Sequence, residues 1–344
     1  MESFNPNAPG IANGNFFGLP FSAEQAELLL IQVPWDVTTS YRPGTSAGPQ
    51  SILNASLQVD LFDFFLEKAW ENPVATLPLP DEILAWNQAL RPLAEEVISL
   101  FETGADEFHP EVASRLLRIN QGSERLNQWV FETTEQWSRK GKISCIIGGD
   151  HSVPLGLIRL LARLYPGMGI LHIDAHADLR KSYEGFEYSH ASIMYNALKE
   201  KGISKLVQVA VRDVCDEEMH LAASDHRIKM YDGYGLAFEE LSGTPFSEIC
   251  ENIISHLPEN VYISFDIDGL DPALCPNTGT PVPGGLSFQQ AVLLLHMLAT
   301  SGRKIIGFDL CEVAPGPEND WDANVGARIL QKLCNLTRLS HHRS

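Results

Sequence analysis

The sequence predicts an α/β protein built on a mainly parallel sheet that is covered on both faces. Three observations predict it: short runs rich in Ile and Val recur, longer segments with helical spacing separate them, and the runs are apolar almost throughout rather than alternating. A strand buried on both faces requires that near-continuous hydrophobicity, and strand–helix alternation is how parallel strands are joined. The runs lie at 28 to 33, 143 to 147, 169 to 174, 206 to 211, 261 to 266 and 305 to 310. Helical segments are expected at roughly 82 to 102, 110 to 139, 154 to 165, 190 to 201, 216 to 223, 287 to 301 and 323 to 335. Pro154 just after Ser152, and Ser287 before F-Q-Q-A-V, are recognisable helix starts. Residues 1 to 25 carry several Pro, Gly and Asn and are expected to form an irregular arm. No linker, repeat or low-complexity tract divides residues 26 to 344, so one domain is expected there.

The 344 residues suffice to bury a sizeable core. The 25 Lys and Arg against 44 Asp and Glu give a net charge of -19, which argues against nucleic acid or an anionic membrane surface as partner. A small cation or metal ions suit the charge better. The six cysteines form no C-x-x-C pair and sit mostly in apolar segments, as free thiols do in a reducing compartment. With no secretory pattern at the N-terminus and no uninterrupted apolar stretch of membrane-helix length, a cytoplasmic location is expected.

Ligands of open parallel sheets bind beyond the carboxyl ends of the strands, and three of the six runs end in unusual polar clusters. These are G-G-D-H-S at 148 to 152, D-A-H-A-D at 174 to 178 and S-F-D-I-D-G-L-D-P at 264 to 272. A period of two puts Asp174, His176 and Asp178 on one side while the chain stays extended, and likewise Asp266 and Asp268. With His151 these make six ligand-type side chains, four of them carboxylates, whose mutual repulsion in a crevice calls for cations. Carboxylate and imidazole without thiolate suits first-row divalent ions, and six ligands exceed what one catalytic ion takes from protein, so two ions are expected. His172 lies two residues deeper and reads better as a satisfied core histidine, and Asp271 as the residue fixing the turn before Pro272.

These blocks closely resemble the ureohydrolase family, which includes arginase, agmatinase, guanidinobutyrase, formimidoylglutamase and guanidine hydrolase. S-Y-R-P-G-T-S-A-G-P (40 to 49), Y-S-H-A-S (188 to 192), G-T-P-V-P-G-G-L-S (279 to 287) and D-L-C-E-V-A-P (309 to 315) add to the resemblance, which spans about 28 to 335. It implies an arginase-like three-layer α/β/α fold and two divalent ions, manganese or nickel. By motif, His151, Asp174, Asp178 and Asp266 correspond to the ligands of one ion, and Asp174, His176, Asp266 and Asp268 to those of the other. His190 matches the family's proton-shuttling histidine, Glu312 the glutamate that orients the guanidinium group, and Asp178 additionally a catalytic hydrogen-bond acceptor. The resemblance also implies a homo-oligomer, a trimer or hexamer, with a mixed assembly as the alternative.

The loop L-R-K-S-Y-E-G-F-E-Y-S (179 to 189) lacks arginase's asparagine-rich pattern, which disfavours arginine as substrate. N-G-N-F-F-G-L-P-F, P-W-D-V-T-T-S-Y (34 to 41), D-I-D-G-L-D-P-A-L-C-P-N-T-G-T-P (266 to 281) and W-D-A-N-V-G-A-R (321 to 328) are most similar to the guanidine hydrolase branch. That likeness implies a small guanidinium substrate and makes Thr39, Tyr41, Tyr188 and Trp321 candidates for the pocket wall. Arg42 fits this poorly and is suited instead to pairing with a substrate carboxylate. The alternatives are an agmatinase, a guanidino-acid hydrolase, or a non-catalytic subunit of a mixed assembly, although none of the six ligands is missing.

Overall fold

The computed structural model describes residues 4–317 and 319–342. Its centre is an eight-stranded sheet, every pairing of which is parallel. The strands are β1 (Leu28–Val33), β2 (Val74–Thr76), β3 (Ile143–Gly148), β4 (Met168–Ile173), β5 (Ile203–Val211), β6 (Ile228–Asp232), β7 (Asn260–Asp266) and β8 (Lys304–Cys311). Their spatial order is β2-β1-β3-β8-β7-β4-β5-β6. The six apolar runs are the six inner strands. The two edges, β2 and β6, were not legible because one has only three residues and the other is half-exposed, so neither shows the apolar run of a covered strand.

Among the described residues ten α-helices accompany the sheet. They are α1 (Gly48–Ser56), α2 (Asp81–Glu102), α3 (Pro110–Ser138), α4 (Leu155–Leu164), α5 (Ile193–Ala197), α6 (Asp216–Ser224), α7 (Gly233–Leu241), α8 (Phe246–Ser255), α9 (Phe288–Thr300) and α10 (Trp321–His341). The segment expected to be helical from 190 is shorter than anticipated, a single turn at His190–Ser192 followed by α5. Alternate strand residues feed two cores. Leu30, Ile147, Leu171, Val207, Phe265 and Phe308 pack with α1, α8, α9 and α10 on one face; Val33, Ile146, Ile170, Leu206 and Tyr262 pack with α2, α3, α4 and α5 on the other. Each fully buried aliphatic side chain contributes roughly 1.5–3 kcal/mol relative to exposure, so two filled layers stiffen the strands from both sides.

The N-terminal lead-in is irregular but stapled to this core. Phe16 and Phe17 are buried, the Phe16 N–H donates to Thr76 Oγ1 and the Phe17 N–H to Ser56 Oγ. No helix among the described residues is long and apolar enough to cross a membrane.

Candidate metal centre

Four neighbouring strands, β3, β8, β7 and β4, end at one crevice, and that adjacency is what gathers residues distant in sequence. His151 follows β3, Glu312 follows β8, Asp266 closes β7 with Asp268 just beyond, and Asp174, His176 and Asp178 follow β4. The close approach needs glycine at two places. A Cβ on Gly149 would lie 1.9 Å from the Trp35 carbonyl oxygen, and one on Gly269 would lie 2.8 Å from the Asp174 nitrogen.

Three carboxylates converge on one imidazole nitrogen. His151 Nδ1 is 2.9 Å from Asp174 Oδ2, 3.2 Å from Asp178 Oδ2 and 3.2 Å from Asp266 Oδ2. A second focus lies alongside, where His176 Nδ1 is 3.0 Å from Asp268 Oδ2 and 3.4 Å from Asp174 Oδ1. The backbone holds these groups in place: Ala175 N–H donates to Asp268 Oδ1, His176 N–H to Asp174 Oδ1 and Asp268 N–H to Asp266 Oδ1. On the far side of the His151 ring, Nε2 is 2.8 Å from Ser264 Oγ, and Ser264 Oγ in turn donates to Asp309 Oδ2 at 2.8 Å. That chain keeps a hydrogen on Nε2 and leaves Nδ1 as the nitrogen that faces the carboxylates and could ligate an ion.

The electrostatics point the same way. Burial raises the pKa of Asp266 well above the ordinary carboxylate range, and Asp268 and Asp174 raise it further; burial and then Asp174 push Asp178 up to about 6. Burial resists charge on His151 and His176, yet their carboxylate neighbours prevail and lift both well above the ordinary imidazole value. Such a cluster demands positive charge. Asp174, His176 and Asp268 offer donor atoms within 4.8 Å of one another, and so do His151, Asp174 and Asp178 together with His172; nitrogen and oxygen donors gathered this way fit first-row divalent ions.

Glu312 and Asp178 both sit in left-handed backbone, at φ 62° and 54°, a conformation that costs a non-glycine residue of order 1–3 kcal/mol. The Glu312 N–H donates to the Gly149 carbonyl, and Oε1 accepts from the His151 N–H at 2.8 Å. Its Oε2 is buried with no partner. Burial, then Asp150, lifts this carboxyl well above its usual range. A Cβ on Gly279 would come within 3.4 Å of Oε2, so glycine there keeps the space beside that oxygen open.

A cleft of about 140 Å³ opens onto the cluster, lined by Ser40, His176, Asp178, Arg180, Tyr183, His190, Ala191, Asp213, Val214, Glu218 and Thr280. His190 is therefore at the site. Burial and then His176 lower its value to about 4, so the ring is neutral near pH 7. Thr39 is buried beside Gly279, at the Glu312 side of the cleft. The other expected wall residues are not brought in. Tyr188 leans toward Arg159 and lines a different depression with Phe108 and Glu124, because its strand-like neighbour Ser189 turns inward in its place. Trp321 caps the surface near Ala273, its indole N–H donating to that carbonyl, and Tyr41 and Arg42 stack on each other in solvent. Ser40, Arg180, Tyr183, Asp213 and Thr280 were missed; all but Asp213 lie inside segments already singled out, which was the available signal.

Comparison with known proteins agrees with this geometry. The model of the Arginase family matches residues 26–335. An N(1)-aminopropylagmatine ureohydrolase of Thermus thermophilus is 33% identical over 292 residues, 85% of this chain and 84% of that protein. An agmatinase of Halalkalibacterium halodurans is 30% identical, covering 85% of each. Among solved structures, the agmatine ureohydrolase of Thermoplasma volcanium superposes with a TM-score of 0.73 at 22% identity over 96% of both chains, and the proclavaminate amidino hydrolase of Streptomyces clavuligerus with 0.72 at 22% identity over 97% of this chain and 100% of that one. The three-layer sheet, the strand-end carboxylates and imidazoles, and a family match over nearly the whole chain lead to one conclusion: this protein belongs to the arginase family of metal-dependent ureohydrolases.

Proposed function

We propose that the chain hydrolyses a C–N bond of a small guanidinium compound, guanidine or a substituted guanidine, releasing urea or a urea derivative with ammonia or an amine. The observation that carries this is the buried, unpartnered Oε2 of Glu312 beside the ligand cluster. Such an oxygen is costly unless a cation meets it, and a planar guanidinium group supplies paired N–H donors. His151, Asp174, Asp178 and Asp266 would hold one ion, and Asp174, His176, Asp266 and Asp268 the other, either manganese or nickel. When bound, two such ions lower the pKa of water toward neutrality and so supply the nucleophile.

The chain's own residues do the remaining work. Glu312 fixes the guanidinium group and so brings its carbon into line, which removes much of the entropic part of the barrier. Asp178 accepts a hydrogen bond from the attacking water and draws its proton away. His190, neutral in its buried setting, accepts a proton and delivers it to the departing nitrogen, without which ammonia or an amine is a poor leaving group. The narrow cleft supports a small substrate.

A second reading is an agmatine-like substrate, favoured by the aminopropylagmatine ureohydrolase and agmatinase relatives and by the Asp213 carboxylate on the cleft, which suits a distal ammonium. Residues 26 to 344 are read as one catalytic domain, assembling with further copies. Urea release by manganese-loaded and nickel-loaded protein, with guanidine, agmatine, aminopropylagmatine, 4-guanidinobutyrate and arginine side by side, tests the function. Turnover of guanidine alone supports the first reading, turnover of the two longer amines alone supports the second, and no urea from any of them refutes both.

A further inference from the structure

Beneath the ligands, four fully buried polar side chains stand in register across four adjacent strands. Asp309 on β8 pairs with Ser264 on β7, Ser264 with His172 on β4, and His172 with Gln208 on β5. The Asp309 and Ser264 end of this row sets the His151 ring, as described above. The other end concerns His172, whose Nε2 lies 2.8 Å from Asp174 Oδ2 and whose Nδ1 lies 3.0 Å from Gln208 Nε2.

Distance alone allows His172 to join the ligands, since its ring nitrogen lies within 4.8 Å of donor atoms of His151, Asp174 and Asp178. The orientation of the Gln208 amide decides otherwise. Its Nε2 also sits 2.7 Å from the Ala177 carbonyl oxygen, which can only accept, so the NH2 must face that carbonyl. Reversing the amide would set two oxygens against each other at that distance. In the orientation this requires, Gln208 donates to Nδ1 of His172, the ring hydrogen resides on Nε2, and Nε2 has no lone pair for a metal. It donates to Asp174 Oδ2 instead.

We propose that His172 and Gln208 form a positioning pair: Gln208 fixes the His172 tautomer, which aims the shared carboxylate Asp174 and bars His172 from metal ligation. Two buried histidines within one cluster thereby take opposite parts, His151 presenting a lone pair and His172 an N–H. The inference rests on the metal reading of the preceding section. Partners of this kind, removed from behind a ligand, weaken metal binding by roughly 10–100-fold.

The test uses the full chain loaded with nickel or manganese. Metal analysis of the unaltered protein comes first, and fewer than two ions per chain overturns the metal reading and this inference with it. X-ray absorption of the nickel form then counts imidazoles: two per pair of ions, His151 and His176, is expected, unchanged in His172→Phe. Three in the unaltered chain, falling to two in His172→Phe, would make His172 a ligand and overturn the proposal. Gln208→Met keeps the size of the side chain but removes the donor. It is expected to bind both ions at saturation yet release them to a chelator on the order of tenfold faster. Release at the original rate would equally overturn the proposal. Because the imidazole count of the unaltered chain and the Gln208→Met release rate need no His172 variant, misfolding of His172→Phe leaves the test intact.

Discussion

At the floor of the site Asp174 is 0% exposed and Asp266 and Asp268 are 3% exposed, whereas at its rim Tyr41 keeps 67% and Trp321 46% of its surface in solvent. The floor residues are each tied by backbone N–H groups or by a second side chain, and each serves more than one neighbour. The rim residues serve none of the floor's carboxylates. A floor so constrained tolerates little change, whereas an exposed edge with few partners is free to vary.

Asp266→Ala breaks the floor most directly. We expect both ions to be lost on gel filtration and turnover to fall by about 10⁴-fold or more, as when a cooperating catalytic unit is removed. Full metal content in that variant would contradict the shared-carboxylate role. Glu312→Gln sharpens the comparison, since it should keep both ions while turnover drops roughly 10²–10³-fold, the size of one lost electrostatic contact to the reacting group. Metal analysis beside steady-state kinetics separates the two outcomes. At the rim, Trp321→Ala should change kcat/KM by no more than about twofold, matching the small energies of surface substitutions. A tenfold effect would bring Trp321 back to the substrate.

A fourth expectation concerns an anchor remote from both. Burial raises the Asp63 carboxyl, but hydrogen bonds from Lys332 and Asn335 overcome this and leave it below its ordinary value. The unfolded chain therefore binds the proton more readily. The stability contributed is present above the ordinary carboxylate range and is lost as pH falls through the lowered folded value. Asp63→Asn should lower stability by about 1–2 kcal/mol at pH 7, and the gap between variant and parent should close on acidification in denaturant titrations. A gap independent of pH would remove the ionic account.

The inner strands and all six ligand-type residues were legible because one local rule wrote both: a doubly covered strand must be apolar to its end, so Asp174 or Asp266 at that end stands out. The rim carries no such contrast. Ser40, Arg180, Asp213 and Thr280 come from four separate loops, and only the closing of the sheet brings them to one cleft. Tyr188 misled because adjacency to Ser189 and His190 in sequence says nothing about which way a loop residue faces. Helix α8 is not among the expected helices, although Ile249, Cys250, Ile253 and Ile254 follow helical spacing and were the available signal. Strand β6 is partly exposed and lacks a comparable mark.

Left-handed backbone at Asp178 and Glu312 has an outcome for anyone who evolves this protein in the laboratory. Glycine at either place would relax the chain by on the order of 1 kcal/mol while discarding the carboxylate. Selection for heat resistance alone would thus reward the loss of both, and on the function proposed above its winners would be sturdier molecules that no longer turn over substrate. A screen for robust variants has to score urea in the same well as survival.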